Sequence, residues 1–161
     1  MTSDVLIRPA TAADLKQVRE ILVETWHDTY DALIGHERVT EITGLWHSPE
    51  LLAKQLRAPG VSFLVAAHES ELVGHAFANS PQPAILMLLR LYVLPRWQRR
   101  GVGSLLLDAV IRAYPGATAL RLSVEADNLK GVSLYRGRGF ELRGEQVEEG
   151  VKVLRMEKTL A

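Results

Sequence analysis

The chain has no cysteine, no net charge and no long apolar run, and each absence removes a class of protein. Without cysteine there is no disulfide, no thiolate zinc site and no acyl-cysteine intermediate. The 19 basic and 19 acidic residues cancel. The excess positive charge on which general affinity for nucleic acid rests is therefore missing. No apolar run reaches the roughly 18 residues of a membrane span. The opening MTSDVLIRPA lacks the apolar stretch of a secretory signal, which predicts a cytoplasmic protein. Linkers rich in Gly, Ser or Pro, internal repeats and low-complexity tracts are absent too. The 161 residues read as one domain, 1–161. A chain of this length buries roughly 68–70% of its unfolded surface, enough for a sizeable core.

What is present is concentrated at Leu91–Gly103, LYVLPRWQRRGVG. Ile85–Val93 is nearly all apolar and reads as a strand, which Pro95 ends because it has no N–H to donate. Arg96, Arg99 and Arg100 then crowd around Gly101 and Gly103. Val102, Leu105, Leu106, Ala109 and Val110 follow at helical spacing. Glycines and arginines thus stand where a strand hands over to a helix N-terminus. Such an end presents unpaired N–H groups and about half a positive charge. Glycine lets an anion come close to the backbone. The pattern predicts a cradle for phosphate or pyrophosphate.

Three phosphate-binding motifs compete for this stretch. The Walker string Gly-x-x-x-x-Gly-Lys-Ser/Thr does not occur in the chain. The dinucleotide fingerprint needs a third small residue where Leu106 stands. What fits is Gln/Arg-x-x-Gly-x-Gly/Ala, at Gln98, Arg99, Arg100, Gly101, Val102 and Gly103. With Leu-Tyr-Val-x-Pro at Leu91–Pro95, it resembles the acyl-CoA pyrophosphate loop of the GCN5-related N-acetyltransferases (GNAT). A second block of that family, Asn-x-x-Ala-x-x-Leu-Tyr-x-x-x-Gly-Phe, is similar to Asn128, Gly131, Leu134, Tyr135, Gly139 and Phe140. Gly131 departs from the usual alanine.

The rest of the chain reads as alternating elements. Val5–Arg8 is a short strand, and Thr11 with Asp14 makes a capping box for a helix predicted to run to about residue 27. Residues 28–60 predict one or two short helices, over Ile34–Leu45 and Pro49–Leu56. Phe63–Ala67 and Leu72–Ala78 form a hairpin about Glu69-Ser70, in which Gly74 marks a bulge or a close backbone approach. Ser80–Pro83 reads as a loop. Leu120, Leu122 and Val124 alternate with polar residues, as in a half-buried strand. Asn128 can cap a helix ending at Gly137 or Gly139, and Phe140–Glu148 with Val151–Glu157 closes the chain as a hairpin about Glu149-Gly150. This order predicts helices on a central mixed sheet. The resemblance implies an α/β (α+β mixed-sheet) fold. Its twisted, mostly antiparallel sheet would have six to seven strands, with splayed central strands and about four flanking helices.

The same resemblance implies an N-acetyltransferase that uses acetyl-CoA and no metal. It would move an acetyl group to a primary amine by direct attack in a ternary complex. The cofactor would be held by Leu91, Tyr92, Val93, Gln98, Arg99, Arg100, Gly101, Val102, Gly103, Ser104 and Asn128. Its pantetheine arm would pair with Leu91–Val93 like an added strand. Arg96, Arg99 and Arg100 are alternative phosphate partners. A backbone N–H near Tyr92 or Val93 would polarise the thioester, and Asn128 would reach the pantetheine amide. Tyr135 is the candidate acid for the leaving thiolate. By reference values (thiol about 8.5, phenol about 10) that proton transfer is mildly uphill. It therefore asks for concerted transfer or a lowered phenol pKa.

The general base is left open between Glu125, at the end of the neighbouring strand, and His75, on the hairpin; His27 is a third rival. The family's histone-acetylating members carry a glutamate early on the central strand. Here that position is Met87, and residues 80–94 contain no carboxylate. The acceptor pocket is expected from the first-helix end, residues 26–47 and the closing hairpin, with Trp26, His27 and Tyr30 as candidate contacts. The partner is a small-molecule or peptide amine, with a homodimer as a further possibility. Two alternatives stand beside this reading: transfer of a longer acyl group, and a non-catalytic acyl-CoA-binding sensor.

Overall fold

The computed structural model describes residues 4–148 and 150–160, so Glu149 of the expected closing turn lies outside the described residues, as do residues 1–3 and 161 of the expected domain. Among the described residues seven strands form one sheet: β1 (Val5–Pro9), β2 (Ser62–His68), β3 (Glu71–Gln82), β4 (Ile85–Val93), β5 (Ala119–Glu125), β6 (Glu141–Glu148) and β7 (Val151–Thr159). Their order across the sheet is β1-β2-β3-β4-β5-β7-β6. Every neighbouring pair is antiparallel except β4 with β5, which is parallel. Among the described residues five α-helices cover it: α1 (Leu15–Ile34), α2 (His36–Trp46), α3 (Pro49–Arg57), α4 (Val102–Arg112) and α5 (Leu129–Gly137).

The first helix is longer than its polar composition suggests. A short 3-10 turn, Ala12–Asp14, leads in, and the Thr11–Asp14 capping box is present. α1 then passes residue 27 and stops only at Gly35, whose φ of 94° is open to glycine at little cost. Buried Trp26 and Tyr30 carry it through that stretch, and tertiary burial outweighs the weak propensity of Thr25, Asp28 and Thr29. Of the two expectations for residues 28–60, the pair of helices is correct. Ser48 caps α3, accepting from Leu51 N at 3.2 Å, with Pro49 in the first turn. Ser80–Pro83 is not all loop, because β3 continues to Gln82. There the Ser80 hydroxyl ties the turn to Gln82 O (2.7 Å) and Ile85 O (2.8 Å).

Successive residues on β4 look to opposite sides of the sheet. Tyr92 reaches Trp26 on α1, whereas a Cβ at Gly103 on α4 would meet Val93. So α1 and α4 sandwich the sheet, and most of the apolar core lies between them. Gly74 is a close approach: a Cβ there would come within 3.1 Å of Leu106 and 3.2 Å of the Tyr92 carbonyl. The register also slips beside it, from Ala66↔Gly74 to Ala67↔Leu72.

One irregularity positions the site. β4 pairs with β5 only from Ile85↔Ala119 to Leu88↔Leu122. At Leu89 the β3 register slips, from Ala78↔Leu88 to Phe77↔Arg90, leaving one extra residue in β4. Such a bulge bends its strand and increases the local twist. Beyond it β4 stays with β3, as in Gly74↔Val93, while β5 stays with β7 to Glu125↔Val153. The sheet parts down its middle.

Candidate active site

The parted strands open into a cleft of about 730 Å³. The end of β4 makes one wall with Leu91, Tyr92 and Val93, and the start of α5 makes another with Asn128–Gly131, Ser133 and Leu134. The loop before α4 contributes Gln98, Arg99, Gly101, Gly103 and Ser104, and α1 contributes Thr25, Thr29 and Tyr30.

The loop is built for an anion by its backbone. Arg99 (φ 63°) and Gly101 (φ 83°) are both left-handed. A chain turning through such residues can bring successive N–H groups into one concavity. The first bond joining Gly101 to the α4 ladder is Leu105 N to Gly101 O, at 3.0 Å. The amides of Val102, Gly103 and Ser104 therefore precede the ladder and are free to meet a ligand. No side chain caps this end and no acid stands in its first turn. A Cβ at Gly103 would meet Leu134 at 3.4 Å, an ordinary contact, so packing alone tolerates an alanine there. A pyrophosphate fits this end.

The arginines divide. Arg99 lines the cleft, but Arg100 stacks over the Trp97 ring at 4.9 Å and Arg96 pairs with Glu71 and Glu24. Val102 also turns away, into the core. Two cations that sequence reasoning missed, Lys130 and Arg138, line the cleft, Arg138 while paired with Asp108. Lys130 donates to Gln98 Oε1 (3.1 Å), whose own amide donates to Val93 O (2.9 Å). A signal for them exists: Lys130, Ser133–Leu134 and Gly137 recur at helical spacing and share one face of α5. The departure at Gly131 has a local cause. A Cβ there would fall 2.6 Å from Asn128 Nδ2, while Asn128 Oδ1 caps α5 by accepting from Gly131 N at 3.0 Å.

A smaller cavity of about 40 Å³ continues the gap between Leu88–Tyr92 and Ser123–Glu125, and Tyr135 faces it. Burial, and then the charge of Glu125, raises the Tyr135 phenol above its ordinary pKa. The lowered pKa that would ease proton return is therefore not found. Glu125 is itself raised: burial acts first, the Tyr30 hydrogen bond opposes it, and the charge of Glu148 adds to it. Tyr30 OH donates to Glu125 Oε1 at 2.8 Å, and the Trp26 indole donates to Tyr92 OH at 3.2 Å.

Three sequence candidates lie elsewhere. His75 is fully buried. Its Nδ1 donates to Leu64 O (2.9 Å) and its Nε2 accepts from Arg90 Nε (3.1 Å). Burial and the Arg90 charge hold its pKa well below the usual histidine value. With both nitrogens occupied it serves the sheet and faces neither cavity. Trp26 is a core residue, 1% exposed, supporting the wall from behind. His27 contacts Asp31 at the joint between α1 and α2, away from the cleft. Of the expected acceptor contacts only Tyr30 lines it. A second apolar cluster of Trp26, Tyr30, Val39, Ile42 and Val151 joins α1, α2 and the closing hairpin.

Comparison with known proteins adds to this geometry. The family model of the acetyltransferase (GNAT) domain matches residues 31–160. The spermidine N(1)-acetyltransferase of Thermoplasma acidophilum is 30% identical over 146 residues, which is 84% of this chain and 88% of that protein. The aminoglycoside N(6')-acetyltransferase type 1 of Stenotrophomonas maltophilia is 29% identical, over 84% of this chain and 85% of that protein. The crystal structure of a PaiA N-acetyltransferase from Thermoplasma acidophilum, in complex with coenzyme A, superposes with a TM-score of 0.85 at 26% identity. It covers 97% of this chain and 99% of that one.

Proposed function

The chain belongs to the GNAT acetyltransferase family, and on that premise we propose that it acetylates a primary amine of a small cationic molecule by direct attack in a ternary complex. The observation that carries this reading is the meeting, in one gap between β4 and β5, of the open α4 N-terminus, unpaired strand edges and a half-buried carboxylate. Acetyl-CoA supplies an acyl group on a leaving group, a thiol, whose pKa is about 8.5.

Each step has residues to serve it. The amides of Val102–Ser104, with Arg99 and Lys130 nearby, hold the diphosphate against the helix end. Leu91–Val93 lie beyond the last β5 pair, so the pantetheine arm completes the sheet there, with the Val93 carbonyl already held by the Gln98 amide. A backbone N–H near Tyr92 or Val93 polarises the carbonyl. Glu125, oriented by Tyr30, takes a proton from the amine, directly or through water in the small cavity. The C–N bond forms, the C–S bond breaks, and Tyr135 hands a proton to sulfur. Because the phenol is raised, that transfer is concerted with C–S cleavage. An ammonium substrate loses two protons and the thiolate gains one, so one proton leaves to solvent.

The acceptor side supports a cation. Glu148 and Asp127 place further negative charge about Glu125 and Tyr30. Aromatic Trp26, Tyr30 and Trp46 back the same wall. Relatives named for spermidine and for aminoglycosides act on amines of that kind. The test is thiol release from acetyl-CoA across polyamines, aminoglycosides, amino acids and peptides. Turnover is expected to be fastest with polycationic amines. Tight coenzyme A binding without turnover on any amine would instead favour a sensor, and a preference for neutral or anionic amines would overturn the acceptor class.

A further inference from the structure

Outside the cleft, where α1 meets α2, three side chains converge that acetyl transfer does not use. His27 and Asp31 lie one turn apart on α1, and His36 opens α2 just past the turn at Gly35. His27 Nδ1 lies 2.6 Å from Asp31 Oδ1, and His36 Nδ1 lies 3.1 Å from Asp31 Oδ2. The two imidazoles stack with centroids 4.2 Å apart. One ligand atom from each residue falls within 4.8 Å of the others.

The geometry points to a binding site for a divalent transition-metal ion of the zinc class, held by His27 Nδ1, an Asp31 carboxylate oxygen and His36 Nδ1. Two imidazoles and one carboxylate suit zinc, cobalt or nickel better than magnesium or calcium. Bonds of about 2.0–2.2 Å put tetrahedral neighbours about 3.3 Å apart. The observed 2.6 and 3.1 Å contacts, one to each Asp31 oxygen, lie within an ångström of that spacing, and the stacked rings must tilt apart to aim both Nδ1 lone pairs at the ion.

The surroundings support the tautomer the metal needs. Coordination through Nδ1 leaves the His27 proton on Nε2, which faces Thr40 Oγ1 at 3.5 Å. That hydroxyl already donates to His36 O at 3.0 Å, so its lone pairs can accept. A metal ligand is commonly oriented by such an outer partner. The His36 side chain is 73% exposed, which leaves a fourth position for water. The occupied site would pin α2 to the turn of α1 that carries Thr29 and Tyr30 to the cleft. It takes no part in the chemistry and does not depend on the acceptor being identified.

Cobalt(II) titration of the full chain without an affinity tag tests this, read by visible absorption with zinc competition. One equivalent is expected to develop tetrahedral bands that zinc removes, and zinc is expected to raise the melting midpoint. His27→Ala, His36→Ala and Asp31→Asn should each lose the bands, whereas His68→Ala keeps them. Thr40→Val should weaken binding about tenfold while retaining the spectrum. Circular dichroism confirms that the variants stay folded; His36 is exposed, so its loss leaves the core intact. Bands absent from the wild type, or kept in a His27→Ala/His36→Ala double variant, would reduce the cluster to a hydrogen-bonded clasp and overturn the site.

Discussion

The two sides of the cleft are made of different materials. On the proposed cofactor side the parts on offer are backbone: left-handed Arg99 and Gly101, the open first turn of α4 and the edge of β4 beyond β5. On the acceptor side they are side chains drawn from distant segments: Tyr30 of α1 reaches Glu125 of β5, and Trp26 reaches Tyr92 of β4. A backbone device depends on a few residues at fixed local spacing. A side-chain device can be assembled from any residues that the fold brings together. The difference predicts that cofactor-side changes alter the use of acetyl-CoA, while changes facing the reacting atoms alter turnover.

The largest separation is expected from Tyr135→Phe. A positioned acid contributes about 10²–10⁴-fold to rate, so kcat should fall by that order with the Kd for coenzyme A unchanged. The ring keeps its contact with Phe140, 5.4 Å away between centroids, so the fold should hold. Equal losses in kcat and coenzyme A affinity would place Tyr135 with the binding apparatus and blur the comparison.

Next comes Gly101→Val, aimed at the backbone side. At φ 83° a β-branched residue is strained by about 1–3 kcal/mol. Relief of that strain would move the amides proposed to meet the diphosphate. Misplacement by about an ångström can cost about 10²-fold, so kcat/KM for acetyl-CoA should drop by that order, chiefly through KM. Isothermal calorimetry with coenzyme A separates lost binding from slowed chemistry. Unchanged heats would remove the diphosphate from this loop.

The same contrast decides what could be read from the chain. The cradle was legible because strand, proline, arginines, glycines and helix occur consecutively, and the gap between β4 and β5 follows from the family resemblance. The extent of α1 was not, because nothing local signals that Trp26 and Tyr30 are buried against α2 and β7. Nor could sequence separate Arg99 from its neighbours. Arg96 is drawn off by Glu71 and Glu24, which lie far away in the chain, and Arg100 by Trp97. His75 looked like a base because a lone strand histidine carries no mark of the Leu64 carbonyl and Arg90 guanidinium that occupy it.

The smallest and most specific effect belongs to Tyr30→Phe, which removes one oxygen from the acceptor side. Burial holds the Glu125 pKa above its ordinary 4.5, and the Tyr30 hydrogen bond pulls it back toward that value. Without the phenol the carboxylate loses a donor and its pKa rises further. A base works only when ionised, so the acid limb of kcat against pH should move to higher pH. The stability effect has a definite sign. A carboxylate whose folded pKa exceeds its unfolded value costs the fold nothing below the unfolded pKa and progressively more as pH rises through the folded one. Tyr30→Phe should therefore destabilise the protein more at pH 8 than at pH 4, as read by denaturant midpoints. A stability loss of equal size at both pH values, with the acid limb unmoved, would mean that the Tyr30–Glu125 bond only packs the wall and that the amine loses its proton elsewhere.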